Sequence, residues 1–225
     1  DENDEKGESS HAFFEMGLIN KGDWKAKWIS GSYHVNKRIR YPVDYFKKEF
    51  VLTSIKKARL YITACGLYEI RLNGKRVGNF VLAPGSTDYN KRIQYQSYDV
   101  TSLIKNGNNE MLVELADGWY RGSNGAKGRT NTYGKQTKFC AQLELVSNDG
   151  ITKTICTDET WSWSNDGAIM FADLKDGEII NANKIASYKY KAKVINFNAN
   201  LTASNNVPVI EHEKVLPIEY IISPS

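Results

Sequence analysis

Two stretches of this 225-residue chain combine aromatic rings with carboxylates and amides. The first, 83–92, contains a Pro-Gly turn, and the second, 117–134, is rich in glycine. Aromatic faces pack against the apolar side of a sugar ring, while carboxylates and amides bridge neighbouring hydroxyls. The two stretches therefore predict the walls of a carbohydrate site. The candidate contact residues are Asp88, Tyr89, Asn90, Trp119, Tyr120, Asn131 and Tyr133.

Each candidate residue also has a purely structural explanation. Asp88 can cap its own turn by accepting a backbone N–H, a common role for Asp in turns. Trp119 can tuck under the loop that it begins. Arg92 and Arg121 are expected to form surface salt bridges. The sequence alone leaves ligand binding and loop construction open for these residues.

Hydrolytic chemistry has fewer candidates. Asp173, Asp176 and Glu178 form the densest acidic group in a patterned region, but they surround a predicted tight turn, which favours a solvated hairpin over a catalytic pair. The three histidines lie in segments with little predicted structure, and none has a nucleophile-elbow context. The sequence therefore favours binding over catalysis.

Composition argues against several classes of protein. The 30 basic residues are interspersed among 26 acidic ones without a basic face, which argues against nucleic-acid binding. No hydrophobic run approaches the roughly 20 residues that span a bilayer. Cys65, Cys140 and Cys156 lack the close spacing of a zinc knuckle, and the first two are expected to be buried thiols.

Alternation of apolar and polar residues predicts a succession of strands. Asn73-Gly74 predicts a type I′ hairpin, and Asp99 is expected to cap one helical turn at 100–104. Many short strands with almost no helix predict an all-β fold, an antiparallel β-sandwich of the jelly-roll kind. The predicted strands are 12–19, 23–29, 45–52, 58–64, 68–72, 93–98, 111–115, 139–145, 151–158 and 168–174.

The predicted organisation has three parts. A jelly-roll domain is expected at 44–183, preceded at 1–43 by a tail and an extended N-terminal arm. Residues 1–11 are too polar to bury much apolar surface, so a mobile tail is expected. The remainder, 184–225, is expected to be a C-terminal linker with short strands at 207–210 and 215–222.

A series of longer motifs runs through the chain in unbroken order between residues 13 and 182. They are FEMGL at 14–18, WKAKWI at 24–29, LYITACGLYEIRLNGKRVG at 60–78, LAPGSTDY at 82–89, YQSYDVT at 95–101, DGWYRG at 117–122 and FADLKDGE at 171–178. Together they closely resemble the N-terminal domain of bacterial alpha-L-rhamnosidases. A match of this extent is far more specific than a single short pattern.

The resemblance implies a large secreted or periplasmic glycoside hydrolase, in which several β-domains surround a helical barrel and terminal L-rhamnose is released with inversion. In that family the catalytic carboxylates belong to the barrel, which nothing in this chain resembles. We therefore expect this chain to stop short of the catalytic domain, to hydrolyse nothing by itself and to recognise L-rhamnose-containing carbohydrate beside the barrel. The alternative is a purely structural β-domain that supports the barrel and binds no sugar.

The resemblance also bears on calcium. Some jelly-roll modules similar to this domain hold calcium beside the sugar, through Asp and Asn side chains and backbone carbonyls, which suit this hard cation. Motif matching assigns Asp88 and Asn131 as the possible side-chain ligands. Gln136 stands where such modules are expected to have a proline carbonyl, so this chain departs from the pattern at that position.

Overall fold

The computed structural model describes residues 16–36, 38–205 and 209–210. The predicted tail at 1–11, the beginning of the strand predicted at 12–19 and the segment 215–222 lie outside these residues. Within the described part of the chain, no helix is long and apolar enough to cross a membrane.

Strands are the main regular structure of the described residues. The one α-helix, α1, spans only Gly118–Arg121, and two 3₁₀ turns span Lys21–Asp23 and Thr101–Leu103. The strands are β1 Trp28–Ser30, β2 Asp44–Leu52, β3 Ile55–Cys65, β4 Leu67–Leu72, β5 Lys75–Arg76, β6 Ile93–Asp99, β7 Gly107–Ala116, β8 Lys138–Ser147, β9 Thr152–Cys156, β10 Ser162–Ser164, β11 Ile169–Asp173, β12 Gly177–Ile180, β13 Tyr190–Lys191, β14 Lys193–Ile195 and β15 Leu201–Ala203.

Two large sheets stack to form a sandwich. The first sheet has the order β14-β1-β8-β3-β6-β15, with β9 also paired to β8, and the second has the order β13-β10-β2-β7-β4-β5. Strands β11 and β12 form a separate hairpin. The described strand pairs are antiparallel except for β15 with β6, which run parallel. The predicted all-β sandwich is thus confirmed, with this one parallel pair as an addition.

The main core lies between the two sheets. Leu60 and Ile62 of β3 and Leu143 of β8 are at most 1% exposed, and they belong to one apolar cluster with Ile70 of β4 and Val113 of β7. Side chains two residues apart on a strand lie on the same face, so the alternation of apolar and polar residues in the sequence predicted which residues point inward. Burial of this apolar area is the main stabilising term of the fold.

The opposite face of the first sheet is buried as well. Phe139 of β8 enters the main core, whereas its neighbour Cys140 belongs to a second cluster with Trp28, Tyr89 and Tyr120. Strands β3 and β8 are therefore covered on both faces, in place of the half-buried strands that alternation predicted. The residues that cover this outer face lie in loops and in the segments on either side of the sandwich. These segments have no periodic pattern of apolar residues from which the contact could be predicted. The predicted burial of Cys65 and Cys140 is confirmed.

Both flanks of the sandwich differ from the sequence prediction. Residues 16–19 are irregular, and in place of the strand predicted at 23–29 the structure has a shorter strand, Trp28–Ser30. The preceding arm is held by a side chain instead of a strand backbone, because Gln142 accepts from the Lys25 N–H and donates to the Asp23 carbonyl. The segment predicted as a linker contributes β13, β14 and β15, which pair with the two large sheets.

The predicted hairpin turn agrees with the structure, whereas the helical turn predicted after Asp99 begins one residue later, with Val100 at the N-cap position. Asn73 and Gly74 have φ of 52° and 79°, as a type I′ hairpin between β4 and β5 requires. The Asp99 carboxylate accepts the Thr101 N–H at 3.0 Å, although the helical turn is limited to Thr101–Leu103.

Gly66, between β3 and β4, is the glycine that the fold can least replace. Its φ is 142°, and a Cβ atom there would lie 2.5 Å from the Ala116 carbonyl oxygen. Gly66→Ala is expected to lower the free energy of unfolding by about 2 kcal/mol or more, because clash adds to backbone strain. Urea denaturation measures the change. Gly74→Ala is the matched control, with positive φ but open space around the new atom. An equal loss in both variants would contradict the clash.

Candidate carbohydrate-binding site

Asp88 builds the turn that it belongs to. Its Oδ1 accepts the Asn90 N–H at 3.1 Å, and its carbonyl accepts the N–H groups of Lys91 and Arg92 at 2.9 and 3.1 Å. The side chain nevertheless remains 44% exposed, and Oδ2 lies 3.7 Å from Lys91 Nζ. The structural and the ligand-binding explanations are therefore compatible, because Oδ1 serves the turn, whereas Oδ2 has only the exposed Lys91 beside it.

Tyr89 joins the two predicted walls. It is turned inward, only 6% exposed, and its ring lies 5.2 Å from the ring of Tyr120 and 5.1 Å from that of Tyr133. Its hydroxyl donates to the Gly85 carbonyl at 3.3 Å. Edge-to-face contacts of this kind are favourable beyond the area they bury. The structure thus brings the stretches 83–92 and 117–134 together.

The four aromatic candidates are not equally accessible. Tyr89 and Tyr120 are at most 6% exposed, so they offer little ring face to a ligand and support the loops from beneath. Trp119 and Tyr133 are only partly buried against the same cluster and retain accessible surface. The Lys138 ammonium lies 4.5 Å from the Tyr120 ring centroid and donates to its hydroxyl at 2.9 Å. Burial lowers the pKa of Lys138.

Asn131 has a left-handed backbone, with φ of 60°, and its N–H donates to the Arg121 carbonyl at 2.8 Å. Its side-chain Nδ2 donates to Thr130 Oγ1, whereas its Oδ1 accepts no hydrogen bond from a described residue. Two residues later, the Tyr133 N–H donates to the Tyr120 carbonyl at 3.2 Å. Asn131 and Asp88 therefore flank the same tyrosine cluster from its two loops.

Calcium remains a prediction. The free oxygens of Asp88 and Asn131 are chemically suited to a hard cation, and backbone carbonyls would have to complete its shell of six to eight oxygens. Gln136, at the position of the expected proline, donates its side-chain amide to the Gly31 carbonyl at 3.0 Å. Among the described residues, no group of three or more His, Cys, Asp or Glu side chains is arranged to hold a metal.

A buried ion pair holds α1 in place. Arg121 is 3% exposed, and its Nε and Nη2 lie 2.7 and 2.6 Å from Asp117 Oδ1. Its Nη1 donates to the Tyr33 hydroxyl at 2.5 Å, and its guanidinium lies 4.9 Å from the Tyr41 ring centroid. The prediction of a surface salt bridge for Arg121 is therefore wrong. Tyr33 and Tyr41 of the N-terminal arm cover Arg121. The sequence around Arg121 contains no signal for this burial.

Asp44, at the start of β2, completes the buried network. Its carboxylate accepts from Thr137 Oγ1 at 2.8 Å, from Trp163 Nε1 at 3.0 Å and from the Tyr33 hydroxyl at 3.3 Å. Burial raises the pKa of Asp44 to about 6, against the lowering effects of Arg121 and these donors. The sequence analysis did not single out Asp44, although its position two residues before the inward-facing Phe46 places it on the core face.

Asp173 anchors the β11–β12 hairpin to the candidate loop. It is 7% exposed and pairs with Arg40, and its Oδ2 also accepts the Ser123 N–H at 2.8 Å. Burial alone would raise its pKa, but the N–H donors of Ser123, Lys175 and Asp176 and the Arg40 charge outweigh burial and lower it. The expected solvated position is thus wrong for Asp173.

Asp44 should make stability depend on pH. Its ordinary pKa is 3.8, so the folded state holds the proton more tightly than the unfolded state. Its contribution is complete below about pH 4 and is lost as the pH rises through about 6. Wild-type protein should therefore lose on the order of 2 kcal/mol relative to Asp44→Asn over this interval.

Urea denaturation at a series of pH values measures this difference. Asp149→Asn is the control, because the exposed Asp149 has a lowered pKa and should produce a weak effect of opposite sign. Parallel curves for wild type and Asp44→Asn would show that Asp44 does not titrate in this interval.

The described geometry defines the class of protein first. It is a two-sheet β-sandwich module whose loops assemble aromatic rings with free carboxylate and amide oxygens over one buried sheet face. The particular family follows from comparison with known proteins. The profile of the family described as Alpha-L-rhamnosidase N-terminal domain matches residues 53–217, and the chain belongs to this family.

Curated relatives agree with this membership. An alpha-L-rhamnosidase of Formosa agariphila is 39% identical over 180 residues, covering 76% of this chain and 19% of the relative. An alpha-L-rhamnosidase of Streptomyces avermitilis is 42% identical over 161 residues, covering 71% of this chain and 15% of the relative. The chain thus spans less than a fifth of the length of either relative.

Solved structures of alpha-L-rhamnosidases share the fold. The native enzyme of Aspergillus terreus superposes with a TM-score of 0.83 at 33% identity, covering 87% of this chain and 24% of that one. The enzyme of Streptomyces avermitilis, solved in complex with L-rhamnose, superposes with a TM-score of 0.73 at 35% identity, covering 78% of this chain and 18% of that one.

Proposed function

We propose that this chain is an accessory carbohydrate-recognition domain of an alpha-L-rhamnosidase, and that it binds terminal L-rhamnose of a glycan. The contact between the two candidate loops carries the proposal, because Tyr89 packs on Tyr120 and Tyr133 and so gathers the loops that bear Asp88 and Asn131. A relative solved in complex with L-rhamnose supports the choice of sugar.

The proposed contacts follow from accessibility. Trp119 and Tyr133 retain exposed ring surface for the apolar face of the sugar, including its methyl group. Asp88 and Asn90 are exposed beside them, and the free Oδ1 of Asn131 adds an acceptor for a hydroxyl. Binding at this site would raise the effective concentration of substrate near a catalytic domain joined to it.

The domain is proposed to be non-catalytic by itself. Inverting hydrolysis needs a general acid with a raised pKa and a carboxylate base roughly 6.5–9.5 Å away. The acidic group singled out in the sequence does not meet this need, because the pKa of Asp173 is lowered and its carboxylate is held by Arg40 and backbone N–H groups.

Isothermal titration of the chain with L-rhamnose tests the proposal. Binding is expected with millimolar affinity, and Asp88→Ala should weaken it about tenfold or more, because a charge-assisted hydrogen bond to a hydroxyl is lost. Asp149→Ala is the matched control, since Asp149 also serves an exposed turn, by accepting from Ser147 Oγ. Repeating the titration with EDTA tests calcium. Absence of heat at millimolar sugar, or an equal loss in both variants, would contradict the proposal.

A structural role is the second candidate, and one observation favours it. The β11–β12 hairpin exposes Leu174, Ile179 and Ile180 with 44%, 55% and 59% of their surface accessible. Apolar side chains grouped on one exposed element are typical of a surface that packs against another domain. In this role the sandwich would support the catalytic domain without binding sugar.

Replacing Ile179 and Ile180 together by Ser tests the structural role. In the full-length enzyme the melting temperature should fall by a few degrees, because about 1–3 kcal/mol of apolar burial is lost per side chain. In the chain alone the melting temperature should not change, since both side chains are already exposed. Val51→Ser, at a 61% exposed apolar position on β2, is the control. An unchanged full-length enzyme would argue against this docking surface.

A further inference from the structure

A second cleft, of about 460 Å³, lies on the outer face of the first sheet, and Asp88 is not among the residues that line it. One rim comes from the N-terminal arm, with Asn20 and Trp24, and the other from the segment between β14 and β15, with Phe197 and Asn198. Cys140 of β8 forms part of its floor. The volume falls within the range of about 300–1,000 Å³ that is usual for small-molecule sites.

The N-terminal rim of this cleft is held in position by hydrogen bonds. The Asp23 carboxylate accepts the N–H groups of Ile19 and Asn20 at 3.0 and 2.7 Å, and the Tyr95 hydroxyl donates to the Leu18 carbonyl at 2.9 Å. The Trp24 ring packs edge-on against Tyr95, with centroids 5.2 Å apart. This rim is therefore organised in the absence of a ligand.

The opposite rim is equally fixed. The Ile93 N–H donates to the Asn200 carbonyl at 2.9 Å, next to the parallel pairing of β15 with β6. The Phe197 ring meets Trp28 edge-on at 5.1 Å and lies 4.4 Å from the Lys138 ammonium. A ligand entering the cleft would meet two preformed walls and would not have to order a loop.

The chemistry of the lining selects the ligand. Aromatic surface comes from Trp24, Trp28 and Phe197, and amide groups come from three asparagines at the rims, Asn20, Asn198 and Asn200. None of the residues that line the cleft is charged. Flat apolar faces bordered by amides match a neutral sugar ring, whereas a lipid would leave the amides unpaired and an ionised ligand would lack a counter-charge.

Several hydrogen-bonding groups at the cleft are unused. The indole N–H groups of Trp24 and Trp28 donate to no described residue, and both residues line the cleft. The Asn198 side chain makes no hydrogen bond within the described part of the chain. By contrast, the indole N–H groups of Trp161 and Trp163 donate to Cys156 and Asp44 inside the fold.

We propose that this cleft between the N-terminal arm and the β14–β15 segment is a second binding site, selective for one neutral pyranose residue of a glycan. The ring packs between the faces of Trp24 and Phe197, and its hydroxyls bond to the indole N–H groups and to Asn198. The ligand contacts at this site include neither Asp88 nor a cation, so they differ from those of the loop site proposed above, although Asn200 Nδ2 donates to the Lys91 carbonyl of the Asp88 loop. Two separate sites on one domain allow it to hold two residues of the same glycan.

Indole N–H resonances of the ¹⁵N-labelled chain distinguish the two sites, because its five tryptophans report on different places. Trp24 and Trp28 report the cleft, Trp119 the loop site, and Trp161 and Trp163 the core. Titration with methyl α-L-rhamnoside, methyl β-D-galactoside and methyl α-D-glucoside is expected to shift Trp24 and Trp28 with at least one glycoside and to leave Trp161 and Trp163 unchanged. Sodium D-glucuronate should shift them less at the same concentration.

Two variants decide the assignment. Asn198→Ala, at an exposed position, should weaken the glycoside-dependent shift of Trp24 about three- to tenfold in dissociation constant. Asp88→Ala should leave that shift unchanged while removing any shift of Trp119. The inference is overturned if no neutral glycoside shifts Trp24, if glucuronate binds as well as the neutral sugars, or if Asn198→Ala has no effect. Loss of the Trp24 shift in Asp88→Ala would also overturn it, because one site would then explain both signals.

Discussion

The buried ion pair between Arg121 and Asp117 is the interaction on which the candidate loop depends. It fixes α1, and the backbone carbonyls of Tyr120 and Arg121 then hold Tyr133 and Asn131 through their N–H groups. A buried pair of this kind costs desolvation, and breaking it by removing one partner typically costs about 3–5 kcal/mol. Its value here lies in geometry, because it converts a long Gly-rich loop into a defined surface.

The same network explains why so many polar groups lie inside the sandwich. Arg121 reaches the Tyr33 hydroxyl, which also bonds Asp44, and Asp44 in turn receives donors from Thr137 and Trp163. Tyr33 lies in the N-terminal arm, Asp44 in β2, Thr137 in the loop before β8, and Trp163 in β10. Each is satisfied only when the others are in place, so the network specifies how separate elements meet, whereas apolar packing alone would tolerate small shifts.

Much of the sandwich could be predicted from the sequence, because apolar residues recur at every second position of a strand that has one face in the core. Leu60 and Ile62 follow this alternation, and the Asn73-Gly74 pair predicts the turn between β4 and β5. The family motifs indicate the topology of the fold. The cover on the outer face of the first sheet could not be predicted. The positions of Trp24 and Phe197 and the burial of Arg121 depend on contacts between segments that are distant in the sequence, such as Trp24 with Tyr95 and Arg121 with Tyr33. Irregular segments have no periodicity that would indicate which face they cover.

The candidate site was predictable to a similar degree. Asp88 and Asn131 could be named from loop composition and motif, and the structure brings their loops together. Which aromatic rings remain accessible was not predictable, since Tyr89 and Tyr133 look alike in sequence but differ in burial. The difference arises because Tyr89 points toward the sheet, where Cys65 and Ile93 form the floor of its pocket.

Strands β1 and β14 pair antiparallel, with Trp28 opposite Ile195 and Ser30 opposite Lys193. The N-terminal arm and the segment that follows β13 therefore run side by side at the edge of the first sheet. A mechanical load that separated these two strands from the end where the chain enters β1 and leaves β14 would act first on the pairing of Trp28 with Ile195 and would open the three residue pairs one at a time, as in a zipper. The pairing of β15 with β6 would still hold the chain beyond β14 to the first sheet.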